Sequence, residues 1–83
     1  MIVLSKLIEL IIIISEKYPN IQVEIYKNNL GLKFYMQNGK SEELEITEQN
    51  ARLNVLIKST NINKKDLSVE DVIAMIKQMS EVG

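Results

Sequence analysis

The stretch Gly31–Gln37 constrains this chain most. Leu32, Phe34 and Met36 alternate with Lys33, Tyr35 and Gln37, the period-2 pattern of a strand with one buried and one solvated face. A second alternating run, Ile21, Val23 and Ile25 against Gln22, Glu24 and Tyr26, precedes it across Asn28-Asn29. Asparagine tolerates the positive φ of a tight hairpin turn, so the two runs are expected to pair. A two-residue loop at Asn28-Asn29 would set Ile25 opposite Leu32 and Val23 opposite Phe34, all apolar on the inner side. After the second turn, Asn38-Gly39, a plain two-residue loop would bring Glu43 to Phe34. Burial favours a register with Phe34 opposite Leu44 and Leu32 opposite Ile46, reached through a three- or five-residue loop or a bulge. Lys33 would then lie between Glu24 and Glu45 on the outer face.

Helices are expected to cover the inner face. Leu4, Leu7, Ile8, Ile11 and Ile14 recur at helical spacing, and Pro19 stops that helix, placing helix 1 at about residues 2–17. Ile12 and Ile13 fall away from the stripe, on and beside the polar side, which means either partial exposure at the edge of the core or, as the sharper reading, a homodimer contact. Thr47 could cap a second helix through Leu53, Leu56 and Ile57, although Leu53, Val55 and Ile57 fit a fourth strand as well. Residues 61–66 read as a loop. Ser68 with Asp71 resembles a capping box ahead of the stripe Val69, Val72, Ile73, Ile76 and Met79, which makes a third helix. The expected fold is one α+β domain over 1–83. It is a three-stranded antiparallel meander, order 1-2-3, with the helices on one face, in the order α-β-β-β-α-α.

Eighty-three residues suffice for one core and leave little for an elaborate active site. The chain has no cysteine or histidine, so thiolate chemistry, disulfides and imidazole bases or ligands are excluded. Ten basic against eleven acidic side chains give no net field to recruit a polyanion or an anionic membrane. The apolar N-terminus lacks a basic leader region and a cleavage site, and its unbroken apolar run is too short to span a bilayer. A cytoplasmic location is expected. The Ile, Asn and Lys richness, with Arg52 the single arginine, resembles the products of AT-rich genomes, phages among them.

Three side-chain groups could carry function. Tyr26, Lys33, Tyr35, Glu42, Glu43 and Glu45 on and beside the outer face could contact a protein, exposed tyrosines being suited to interfaces. Lys58, Lys64 and Lys65 form a small basic group that suggests nucleic-acid binding as the alternative. The carboxylates Glu42, Glu43, Glu45 and Glu48 diverge too much for a metal site or an acid/base pair. No cofactor is expected. The predicted order of helix, three strands and helix resembles double-stranded-RNA-binding domains. With two final helices it is similar to some phage-encoded anti-CRISPR proteins. These likenesses are of element order alone and imply binding and not catalysis. The expectation is a non-enzymatic protein-interaction module, a homodimer, acting as an inhibitor or accessory factor of a phage or mobile element.

Overall fold

The computed structural model describes residues 5–80. Its elements run α1 (Lys6–Lys17), β1 (Gln22–Ile25), β2 (Asn29–Tyr35), β3 (Ser41–Gln49), β4 (Arg52–Ile57), β5 (Ile62–Leu67) and α2 (Val69–Met79). The strands form one antiparallel meander in the order β1-β2-β3-β4-β5. The three-stranded sheet expected from the sequence is therefore corrected to five strands, and the element order to α-β-β-β-β-β-α.

The expected middle helix is the β3–β4 hairpin. Thr47 and Glu48 lie within β3 instead of opening a helix, and Asn50-Ala51 make the two-residue turn between the paired Gln49 and Arg52. Both turn residues have positive φ, 53° and 63°, the conformation that a type I′ hairpin needs. Beyond the turn, Leu53, Val55 and Ile57 alternate inward and are buried. The segment expected as a loop, 61–66, forms most of β5, started by Asn61 at φ 56°. Its polarity is that of an edge strand: Asn63, Lys64, Lys65 and Asp66 are all exposed.

Both early hairpins keep the expected faces but differ from the expected register by two residues. Ile25 pairs with Leu30 and Val23 with Leu32, because the tight turn sits one residue earlier, with Tyr26 N–H donating to Asn29 C=O at 2.9 Å. In the second, Met36 N–H donates to Lys40 C=O at 2.8 Å around Gln37-Asn38-Gly39, and Gly39 takes φ 82°. That three-residue loop pairs Leu32 with Leu44 and Leu30 with Ile46. A shift of two residues preserves which side each residue faces, so the apolar pairing survives. Lys33 consequently stands between Gln22 and Glu43, not between Glu24 and Glu45.

The core lies between the sheet and the two helices. Leu30, Leu32, Phe34, Leu44, Ile46, Leu53, Val55 and Ile57 from the sheet meet Leu10, Ile14, Val69, Val72 and Ile76 from the helices, all buried. Each such side chain contributes about 1.5–3 kcal/mol by leaving water. Ser5 caps α1 by accepting from Ile8 N–H at 3.2 Å, while Glu48 Oε1 accepts from Leu7 N–H at 3.3 Å. A carboxylate at the positive end of the helix dipole thus ties α1 to β3. Residues 2–4 of the expected helix 1, Leu4 among them, lie outside the described residues. At α2 the capping box is present in both directions, Asp71 N–H to Ser68 Oγ at 3.1 Å and Ser68 N–H to Asp71 Oδ2 at 3.0 Å. The Ser68 N–H first, and the Ser68 hydroxyl second, hold the Asp71 carboxyl below its ordinary pKa.

Candidate functional site

The residues expected to contact a protein divide among three environments. Lys33, Tyr35, Glu43 and Glu45 share the helix-free face: Lys33 is opposite Glu43, Tyr35 opposite Ser41, and Glu45 opposite Gly31 and Leu56. Tyr35 is 73% exposed. Glu43 also approaches Lys58, Oε2 to Nζ at 3.6 Å, so the charges of this face are interleaved. Solvated pairs of this kind are worth ~0–1 kcal/mol.

Tyr26 lies flat on the same face beside them. Its ring covers Gly31, where an added Cβ would come within 3.2 Å of Tyr26 Cε2. Gly31 is buried, and the missing side chain is what lets the aromatic ring shield the backbone of β2. The Tyr26 hydroxyl donates to Glu24 Oε2 at 3.2 Å. That bond, reinforced by the Glu24 charge, raises the phenol above its ordinary pKa.

Glu42 faces the other way. It is 4% exposed, on the inner side of β3 opposite Phe34. Its carboxylate accepts from Ser59 Oγ at 2.5 Å, Ser59 N–H at 3.2 Å and the adjacent Glu43 N–H at 3.0 Å. The rule that every inward pair be apolar fails at this position, because the β4–β5 turn brings donors to the carboxylate. Ser59 has no signal of its own in the sequence, being one of several polar residues in an apparent loop. The bonds fasten β3 to the β4–β5 turn, a structural use of the group.

The basic residues do not share one face. Lys58 is beside Glu43. Lys64 stands opposite Val55 on the core side of β5, with Lys65 next to it on that edge strand. Among the described residues no group of three or more acidic side chains is placed to hold a metal ion, and no helix is long and apolar enough to cross a membrane.

The apolar surplus expected on helix 1 takes a different form. Ile13 packs against the core and Ile12 is 48% exposed. The companion of Ile12 is Ile8, one turn earlier and 45% exposed, not its neighbour Ile13. The reason is the helical angle: residues four apart share a face, whereas adjacent ones diverge by about 100°. Ile8 also lines a cleft of about 190 Å³ with Leu7, Ile11, Ile25, Tyr26 and Leu30. Ile25 in that cleft faces the helix side of the sheet, yet is 71% exposed. The main helix contacts are with β3, β4 and β5; on β1 Val23 still packs against the core, while Ile25 at the end of the strand is left exposed. Sequence reasoning places Ile25 in the core because its alternation is faultless. Alternation gives the face of a residue and not the reach of the helix above it.

No protein-family model, curated protein or solved structure matches this chain. The functional reading accordingly rests on the fold and its surfaces.

Proposed function

We propose that this chain is a small non-enzymatic protein-interaction module that works as a homodimer, as an inhibitor or accessory factor of a phage or mobile element. The observation that carries this reading is the exposed apolar pair Ile8 and Ile25 on one cleft between α1 and β1, with Ile12 exposed one turn on from Ile8. Partial exposure of one such residue is ordinary, but three large β-branched side chains, two of them on one cleft and the third a helical turn away, form a patch of the kind that partners cover. A second copy presents the same patch, and a two-fold axis lets one surface serve both sides. The helix-free face, with Lys33, Tyr35, Glu43 and Glu45, remains open for a larger protein.

Light scattering at micromolar concentration tests the pairing. The expected result is a mass twice that of the 9.5 kDa chain, shifting to the single-chain mass on Ile12→Lys. A single-chain mass for the unaltered protein contradicts the reading.

A further inference from the structure

Among the described residues the outer edge of β1 is unpaired, and its orientation is determined by the ladder on the other side. Tyr26 N–H donates inward to Asn29 C=O, and backbone direction alternates along an antiparallel strand. Gln22, Glu24 and Tyr26 therefore spend their backbone groups on β2, while those of Val23 and Ile25 point out of the sheet. The Ile21 N–H is already taken by Tyr18 C=O at 3.1 Å, leaving its carbonyl outward. β1 contains neither proline nor lysine and its pairing with β2 is regular. The opposite edge, β5, carries Lys64 and Lys65, a residue at positive φ in Asp66 (62°), and a register shift against β4. Those features are the usual obstacles to edge pairing, and β1 has none of them.

We propose that two copies of this chain join β1 to β1 in antiparallel fashion about a two-fold axis at Val23, extending each five-stranded sheet into the other. This deepens the dimer reading above and rests on it. Side-chain chemistry selects the register. A one-residue slip would set the apolar face of one copy beside the solvated face of the other. Of the two registers centred on the strand that keep faces matched, one centres on Glu24 and brings two like carboxylates together at the close spacing of a non-hydrogen-bonded pair. The other centres on Val23. It sets Val23 opposite Val23 of the second copy, Ile25 opposite Ile21, and Gln22 opposite Glu24, where a side-chain amide can donate to the carboxylate. In that register Val23 N–H meets Val23 C=O reciprocally and Ile25 N–H meets the open Ile21 C=O, so the outward donors of both edges are satisfied. The inner row Ile21, Val23 and Ile25 becomes continuous across the axis, with the Ile8 and Ile12 side of each α1 flanking it.

Introduced cysteines test the register in a chain that has none of its own. Gln22 and Glu24 are exposed, so Gln22→Cys and Glu24→Cys leave the core intact, and directly opposed non-hydrogen-bonded positions suit disulfide geometry. The two full-length variants are mixed, oxidised mildly and separated under non-reducing conditions, with light scattering on the same samples. The expected result is a mixed disulfide, joining one Gln22→Cys chain to one Glu24→Cys chain, favoured about tenfold over either self-crosslinked species. Self-crosslinking of Glu24→Cys at a comparable yield overturns the register. A dimer mass without any crosslink overturns the β1 edge while leaving the dimer reading in place. A single-chain mass overturns both.

Discussion

The two edges of the sheet, β1 of four residues and β5 of six, solve opposite problems. β5 is polar, irregular and tied at its end: Arg52 Nε meets Asp66 Oδ1 at 3.2 Å, Arg52 Nη2 donates to Asp66 C=O at 2.9 Å, and Asn54 Oδ1 accepts from Asp66 N–H at 3.1 Å. It then runs directly into the capped start of α2. β1 is regular and carries on its inner side Val23, packed against the core, and Ile25, left exposed. An edge meant to stay free in water needs guards, and β5 has them. β1 is short and carries Glu24 but has no lysine, bulge or positive φ, and that lighter guard, beside exposed apolar side chains, is the difference that gives the molecule a direction.

Breaking the shared sheet removes both edges at once. Leu44→Ala, at a fully buried site between Leu32 and Ile57, should cost about 2–5 kcal/mol in urea unfolding. Val23→Pro separates the edges. Its lost N–H points away from β2, a position where an edge strand accepts proline. Light scattering should show dimerisation weakened at least about tenfold, with the single-chain fold retained by circular dichroism. Replacing both guards, Lys64→Val with Lys65→Thr, should raise association of β5 edges and lower the solubility limit severalfold, whereas the reverse change at β1, Ile25→Lys, should suppress association.

Smaller effects sharpen the account of how β5 is held. Ala51 at φ 63° is in a conformation that costs non-glycine residues roughly 1–2 kcal/mol, offset in part by the entropy of glycine. Ala51→Gly should therefore raise stability by up to about 1 kcal/mol in thermal or urea unfolding. Asp71, at the junction of β5 and α2, has a folded pKa below its unfolded one. Its contribution is present above the ordinary aspartate range and is lost as pH falls through the folded value. Acid unfolding curves should show a slightly shallower loss of stability in that window for Asp71→Asn than for the unaltered chain.

The faces of the first three strands can be read from alternation, and α2 from its capping box, because local chemistry decides both. The β3–β4 hairpin is hidden for a local reason too. Ala51 is a helix former by propensity, and of the pair only Asn50 favours the positive φ that both residues adopt. β5 is hidden because an edge strand need not be apolar; Lys64 and Lys65 look the same in a loop as on a guarded edge. The burial of Glu42 follows only once the turn after the hidden hairpin is known to carry Ser59 to it. The proposed self-association surface is half legible. Ile12 is exposed as its helical angle implies, but its companions Ile8 and Ile25 emerge only from the position of α1 over β3 and β4.

Amide hydrogen exchange by NMR, residue by residue along β1 and at two protein concentrations, tests the comparison of edges most directly. Gln22, Glu24 and Tyr26 face β2 and should be protected at both concentrations. Val23 and Ile25 should exchange rapidly when the protein is dilute and become protected when it is concentrated, while the outward amides of β5 stay unchanged. Rapid exchange of Val23 and Ile25 at every concentration, with the protein demonstrably paired, would contradict the account.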